Sequence, residues 1–273
     1  MIIRDITSRV MAETAVISAK EEAEQANDAL RSTNQELAAS NAELEAFSST
    51  VAHDLKAPLA NIAAFSEFLT GDWERLSPDE ARSHLHIVAA EGNKAIQIVN
   101  DLLLLSHVRQ TNEVETMPLD MGLIISEVLS RLQRVIVQYE AVIQVPETWP
   151  IALGHLSWVE AVWMNYLTNA IKYGGEPPQI ELGATAQTDG YHRYWITDNG
   201  PGLTVEEQTK LFTPFTRLHH ARAEGHGLGL AIVQRIVWKL SGQVGVESTM
   251  GAGSTFYFTL PAAKITTSEE RRD

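Results

Sequence analysis

Of the nine histidines in the chain, His53 has the most reactive company. It stands in Val51-Ala52-His53-Asp54-Leu55-Lys56-Ala57-Pro58-Leu59, an imidazole next to a carboxylate with an ammonium three residues on. Imidazole titrates near neutrality and its free ring nitrogen is a nucleophile, while a carboxylate can hold the other nitrogen protonated. Taken alone, a histidine is a surface or satisfied core residue, and His53 is set apart by its neighbours. Pro58 removes the backbone donor that would bond to Asp54, which should bend a helix at a cost of about 3 kcal/mol.

Four further clusters carry chemistry of a different kind. Asn165-Tyr166-Leu167-Thr168-Asn169-Ala170-Ile171-Lys172-Tyr173 falls on a predicted amphipathic helix, where spacings of three and four put Asn165, Asn169, Lys172 and Tyr173 on neighbouring parts of one surface. An amide oxygen suits Mg²⁺ and an ammonium suits phosphate, although the same residues also fit a plain polar, solvated stripe. Asp198-Asn199-Gly200-Pro201-Gly202-Leu203 follows a β-like run. It reads either as a turn or as a carboxylate at a strand end, able to accept from an adenine amino group with glycines alongside. Gly225-His226-Gly227-Leu228-Gly229-Leu230 opens an apolar helix, a place where backbone N–H groups meet phosphate. Gly251-Ala252-Gly253-Ser254-Thr255-Phe256 has the make-up of a hairpin turn, with Thr255 as a candidate nucleotide contact.

The elements that must hold these clusters follow from pattern and punctuation. Residues 7–50 contain neither Gly nor Pro and predict one long helix. Leu30, Leu37, Leu44 and Val51 recur every seven residues, with Asn27, Asn34, Asn41 and Ser48 at the companion positions, the pattern of a weak parallel coiled coil. Apolar spacing continues through Phe47, Val51, Leu55, Leu59, Ile62, Phe65 and Leu69 and stops at Gly71. Ser77-Pro78-Asp79-Glu80 signals a second helix start, running to about 109 with Leu85, Val88, Ile96, Val99, Leu102 and Leu103 inward. Residues 41–109 thus predict a helical hairpin, and two hairpins would make a four-helix bundle. Beyond Met117 the pattern predicts helices at 120–139, 156–173 and 227–241. It predicts strands at 141–145, 179–186 and 191–197, and a hairpin over 243–260. That mixture predicts an α+β sandwich with helices on one face of a largely antiparallel sheet, joined to the hairpin near 110–118. Thr204 to Glu224, rich in charge but carrying Leu211, Phe212 and Phe215, reads as a lid with apolar anchors.

Composition narrows the classes. In 273 residues, 21 Lys and Arg against 35 Asp and Glu leave a formal charge of −14, which opposes binding to nucleic acid or an anionic membrane. With no cysteine there is no disulfide, thiolate metal site or cysteine nucleophile. No apolar run approaches the roughly 18 residues of a membrane helix, and no export signal opens the chain, so membrane insertion is not expected and a cytoplasmic location is.

In this order and spacing, the five clusters resemble the sensor histidine kinases of two-component systems, over residues 41–262. His53 would be the phosphoacceptor, 165–173 the asparagine box, and 198–202, 225–229 and 251–253 the glycine boxes, with Phe212 and Phe215 as the phenylalanine box. The wording around His53 and Asn169 is similar to the phytochrome-like and PAS-linked members, and 2–7 looks like the exit of a PAS sensor domain. The resemblance implies a coiled-coil signalling helix over 1–40, a dimerisation and histidine phosphotransfer hairpin over 41–110, a Bergerat-type ATP-binding domain over 118–262 and a disordered tail over 263–273. It implies a homodimer through the coiled coil and four-helix bundle, with the receiver domain of a response regulator as partner, and ATP and Mg²⁺ as cofactors. His53 would attack the γ-phosphorus through Nε2 while Asp54 holds the proton on Nδ1. Asn169 would bind Mg²⁺ with Asn165 in support, and Lys172 and Tyr173 would contact phosphate. Asp198 would read adenine beside Gly200 and Gly202. Gly225, Gly227, Leu228 and Gly229 would line the triphosphate, Arg217 would reach the γ-phosphate, and Thr255 would touch the nucleotide. One position departs from the pattern. Many members that dephosphorylate their regulator carry Thr or Asn four residues after the histidine, and here Ala57 stands there, implying weak or absent phosphatase activity. Two competing readings share parts of this set: an ATPase of the gyrase or Hsp90 kind with no use for His53, and a dimeric interaction module whose nucleotide binding is vestigial.

Overall fold

The computed structural model describes residues 20, 25, 27, 30–31, 33–35, 37–38, 49–111, 113–214, 216 and 227–263. Residues 1–56 and 57–273 form two compact units. In the first, the described residues are helical; Leu30 and Leu37 are exposed on the single chain. The remaining heptad positions at 41, 44 and 48, and the stretch 2–7, lie outside the described residues.

Helix α1 is helical throughout 49–71 and passes Pro58 without interruption. One 3-10 turn, Trp73–Arg75, leads to α2, Pro78–Gln110. The start of α2 is the expected capping box: Ser77 Oγ accepts from the Glu80 backbone and Glu80 Oε2 accepts from Ser77 N at 2.9 Å, satisfying two of the free donors that open a helix. Between the two helices His84 sits against Phe65 and Phe68, ring centroids 5.4 and 5.0 Å away. The apolar face of α2 differs from expectation. Ala81, Ile98, Leu105 and Val108 are the buried residues, whereas Leu85, Ile96, Val99 and Leu103 are exposed on the single chain. The helix carries two apolar stripes. One is used within the chain, and helical periodicity alone does not say which.

The α+β sandwich follows. Its elements are β1 Met117–Leu119, α3 Met121–Gln138, β2 Val142–Gln144, β3 Ala152–Gly154, α4 Leu156–Tyr173, β4 Gln179–Ala186, β5 Tyr191–Asp198, α5 Val205–Lys210, α6 Gly229–Lys239, β6 Val244–Ser248 and β7 Ser254–Pro261. The main sheet runs β2-β4-β5-β7-β6, antiparallel except for the parallel pair β2 and β4. The short β1 and β3, absent from the sequence reading, pair antiparallel on their own. Part of the expected lid, Val205–Lys210, is a helix capped by Thr204 and Glu207.

Helix α4 is the central layer element, contacting α3, α6 and β5. Its large side chains build the core between helices and sheet. Trp163 is fully buried, donates through Nε1 to Met121 Sδ at 3.0 Å and packs edge-on against Phe258. Tyr166 is buried beside Phe256 and Phe258, and its hydroxyl donates to Tyr257 O at 3.1 Å, so burial raises its pKa without leaving the group unpaired. This packing fixes the rotation of α4. Its Asn165 and Asn169 stripe is thereby turned away from the sheet core.

Candidate functional site

The helix that buries Trp158, Val162, Trp163, Tyr166, Leu167 and Ala170 inward leaves Met164, Asn165, Thr168, Asn169, Lys172 and Tyr173 along a cavity of about 600 Å³. Asp198, Gly202 and Leu203 meet them from the end of β5, and Gly227, Leu228 and Gly229 from the start of α6. Residues far apart in sequence are therefore gathered on one concavity by a helix, a strand end and a helix start. A concavity with a few convergent polar groups is the usual form of a small-molecule site.

Asp198 is the buried acid of the cavity, 7% exposed. One carboxylate oxygen accepts from Gly200 N at 2.8 Å, and the backbone of Ser254 donates to it as well. Burial pushes its pKa up, while the two backbone donors pull it down. Its neighbour Asn199 takes no part in the cavity. Its Oδ1 accepts from Gly175 N and Gln179 N at 2.9 and 2.8 Å, which ties the loop after α4 to the end of β5.

Two glycines of the cavity lie at close approach to their neighbours. Gly202 has φ +73° and lies against the Thr249 carbonyl, so a side chain would meet both backbone strain and a collision. Gly229 packs directly on Asn165, whose Nδ2 donates to Ala161 O at 2.9 Å and whose Oδ1 a Cβ at 229 would strike. The first turn of α6 is thus set against the asparagine helix. Its amide groups open on the same cavity.

Thr255 requires a correction. β7 pairs with β5 so that Asp198 faces Ser254 and Thr197 faces Thr255. Alternation then sends Ser254 and Phe256 to the cavity, and Thr255 to the other face, where its hydroxyl lies 2.8 Å from that of Thr197. Gly200 shapes the Asp198 turn without lining the cavity, and Arg217 and Gly225 lie outside the described residues. Sequence reasoning also missed the wall supplied by α2, where Ala90, Glu91, Asn93, Lys94, Gln97 and Asp101 line the same space.

His53 lies in the other unit. Its side chain is 85% exposed, and Nδ1 stands 3.5 Å from Oδ1 of the largely buried Asp54. Adjacent helical residues do not ordinarily meet, so the contact depends on the rotamers adopted here. Nδ1 is turned to the carboxylate, which leaves Nε2 as the outward nitrogen.

Residues 43–111 match the His Kinase A (phospho-acceptor) domain, and residues 154–264 match the histidine kinase-, DNA gyrase B- and HSP90-like ATPase domain. The chain belongs to the sensor histidine kinases. Among curated sensor kinases it is 32% identical over 220 residues to the methanogenesis regulatory histidine kinase FilI of Methanothrix harundinacea, covering 80% of this chain and 24% of that one. It is 30% identical over 248 residues to cyanobacterial phytochrome B of a Nostoc species, covering 90% and 32%. The chain therefore spans a quarter to a third of these two relatives. Among solved structures, the histidine kinase ThkA in complex with the response regulator protein TrrA aligns with TM-score 0.64 at 18% identity, over 80% of this chain and 61% of that one, a likeness of fold. Among the described residues of this sensor kinase, no helix is long and apolar enough to cross a membrane, and no three His, Asp or Glu side chains gather as a metal site.

Proposed function

We propose that the chain is an ATP-dependent, autophosphorylating protein histidine kinase that passes phosphate from His53 to an aspartate in the receiver domain of a response regulator. The observation that carries this reading is the joint presence of an exposed His53 beside Asp54 and a cavity uniting the asparagine helix, Asp198 and the α6 glycines. A gyrase-like ATPase would account for the cavity alone.

The chemistry follows from the groups present. Nε2 of His53 forms a bond to the γ-phosphorus of ATP, the bond to the bridging oxygen breaks, and ADP leaves. Asp54 holds the Nδ1 proton and offsets the positive charge that builds on the ring. Asp198 accepts from the adenine amino group. Lys172 neutralises phosphate charge, and the amides of Gly227, Leu228 and Gly229 meet the phosphate chain. An amide oxygen together with phosphate oxygens is a donor set that suits Mg²⁺, and Asn169 supported by Asn165 would hold it. When bound, that ion neutralises charge on the phosphates. The test is incubation of the chain with γ-labelled ATP and Mg²⁺. Protein-bound label that survives base and is lost in acid is expected, and phosphate release without labelled protein would instead establish the ATPase.

Two further properties are part of the proposal. Leu59, Phe68, Leu85, Ile96, Val99 and Leu103 expose apolar surface on both helices of the hairpin, more than a solvated helix pair carries without a partner. A second copy would cover it in a four-helix bundle, with Leu30 and Leu37 continuing the seam upstream. Light scattering is expected to return a dimer, and a monomer at micromolar concentration would remove this part. Ala57 offers no polar side chain one turn beyond His53 to orient a water. A phosphorylated cognate receiver is therefore expected to lose phosphate at its own intrinsic rate in the presence of the chain. Ala57→Thr is expected to speed the loss roughly 10- to 100-fold, the scale of one positioning group. Rapid loss with Ala57 in place would contradict it.

A further inference from the structure

Helix α2 is seated on the sandwich by specific contacts. Ile98 and Val108 are fully buried and Leu105 nearly so. Lys239, in the last turn of α6, donates from Nζ to Thr111 O at 2.7 Å, placing a cation on the carbonyl end of α2, and the His107 ring meets Trp158 edge-on at 6.3 Å. In this seat α2 turns one face to the cavity, with Glu91, Lys94, Gln97 and Asp101 at spacings of three, three and four. Two carboxylates against one ammonium thus enter the space from the hairpin.

Among the described residues neither carboxylate forms an ion pair. Glu91 has Oε2 buried without a hydrogen-bond partner. Asp101 makes no ion pair among the described residues, and burial pushes its carboxyl up to about 6, so near neutral pH it is still mostly an anion. The other charged groups on the cavity are Asp198, held by backbone donors, and Lys172. A triphosphate entering this space meets the α2 acids at low effective dielectric, where charge is felt strongly.

Resting on the nucleotide reading of the cavity, we propose that the seated α2 is an acidic wall that weakens triphosphate binding, with Asp101 as a determinant of affinity by ligand charge. Triphosphate binding and seating of α2 therefore oppose each other through one helix face. Asp101 is a selectivity residue: it repels ligand charge and supplies no attraction.

Calorimetric titration of the full chain and of Asp101→Asn with metal-free ATP, MgATP and adenosine tests this. Asp101→Asn is isosteric, and Glu91→Gln serves as a second variant with the same expected sign. The expected result is ATP bound roughly three- to tenfold more tightly by each variant, a smaller gain for MgATP, and adenosine unchanged. Unchanged ATP affinity overturns the proposal. So does a selective weakening of MgATP, which would make Asp101 a metal ligand, and so does an equal gain for adenosine, which would be a packing effect. Absence of nucleotide binding by the native chain and both variants would overturn the nucleotide site itself, and the wall with it.

Discussion

His53→Gln is expected to abolish phosphorylation of the chain, a loss of roughly a thousandfold or more, because the carboxamide that replaces the ring has no comparable nucleophilic lone pair. The side chain is 85% exposed, so the substitution removes little packing and the variant should melt with the native chain. ATP binding should persist, since the cavity is built from α2, α4, α6 and the ends of β5 and β7 and takes nothing from residue 53. The decisive reading is therefore a split: label lost, affinity for ATP kept. Label retained on the variant would move the phosphoacceptor to another of the nine histidines. His84 is poorly suited, with its ring against Phe65 and Phe68 and its Nδ1 buried.

Much of the sandwich was legible because its helices are one-sided. α3, α4 and α6 lie close to the stretches that apolar spacing marked, and β4, β5 and β7 are long enough to alternate visibly. The short strands β1 and β3 were not legible, since three residues carry no period. Helix α5 had a readable signal in Thr204 and Glu207, the same spacing that marked the start of α2, but lay within a stretch read for its charge. The error at Thr255 has a sharper cause. Composition marked the right turn, yet which of Ser254 and Thr255 faces the cavity is set by pairing with β5, fifty-six residues away by the Asp198 to Ser254 register, and a shift of one residue exchanges the faces. The α2 wall was hidden for a related reason. Glu91 and Asp101 look like ordinary polar positions of a solvated helix until the sandwich is set against them.

Asp198→Asn is expected to weaken ATP roughly ten- to a hundredfold, the worth of one hydrogen bond to a charged acceptor in a desolvated site. The carboxylate already accepts from Gly200 and Ser254, and it is acceptor on every lone pair, so an amino group arriving from the cavity finds a third site of the right sign. An amide has one oxygen. If it keeps the bond to Gly200, its NH₂ must face either the Ser254 donor or the incoming amino group, and donors then oppose each other. The substitution also removes a buried charge whose pKa is raised by desolvation, so the fold should hold or gain stability near neutral pH while affinity falls. The sign follows from linkage. A carboxyl whose folded-state pKa lies above its unfolded value opposes folding once pH rises past the unfolded value, and Asn carries no such term. Calorimetry and thermal melts on one preparation separate the two effects. ATP affinity unchanged with an intact fold would move the purine away from Asp198, and a matching loss for a purine bearing no exocyclic amino group would show that the variant acts on cavity shape instead of on that hydrogen bond.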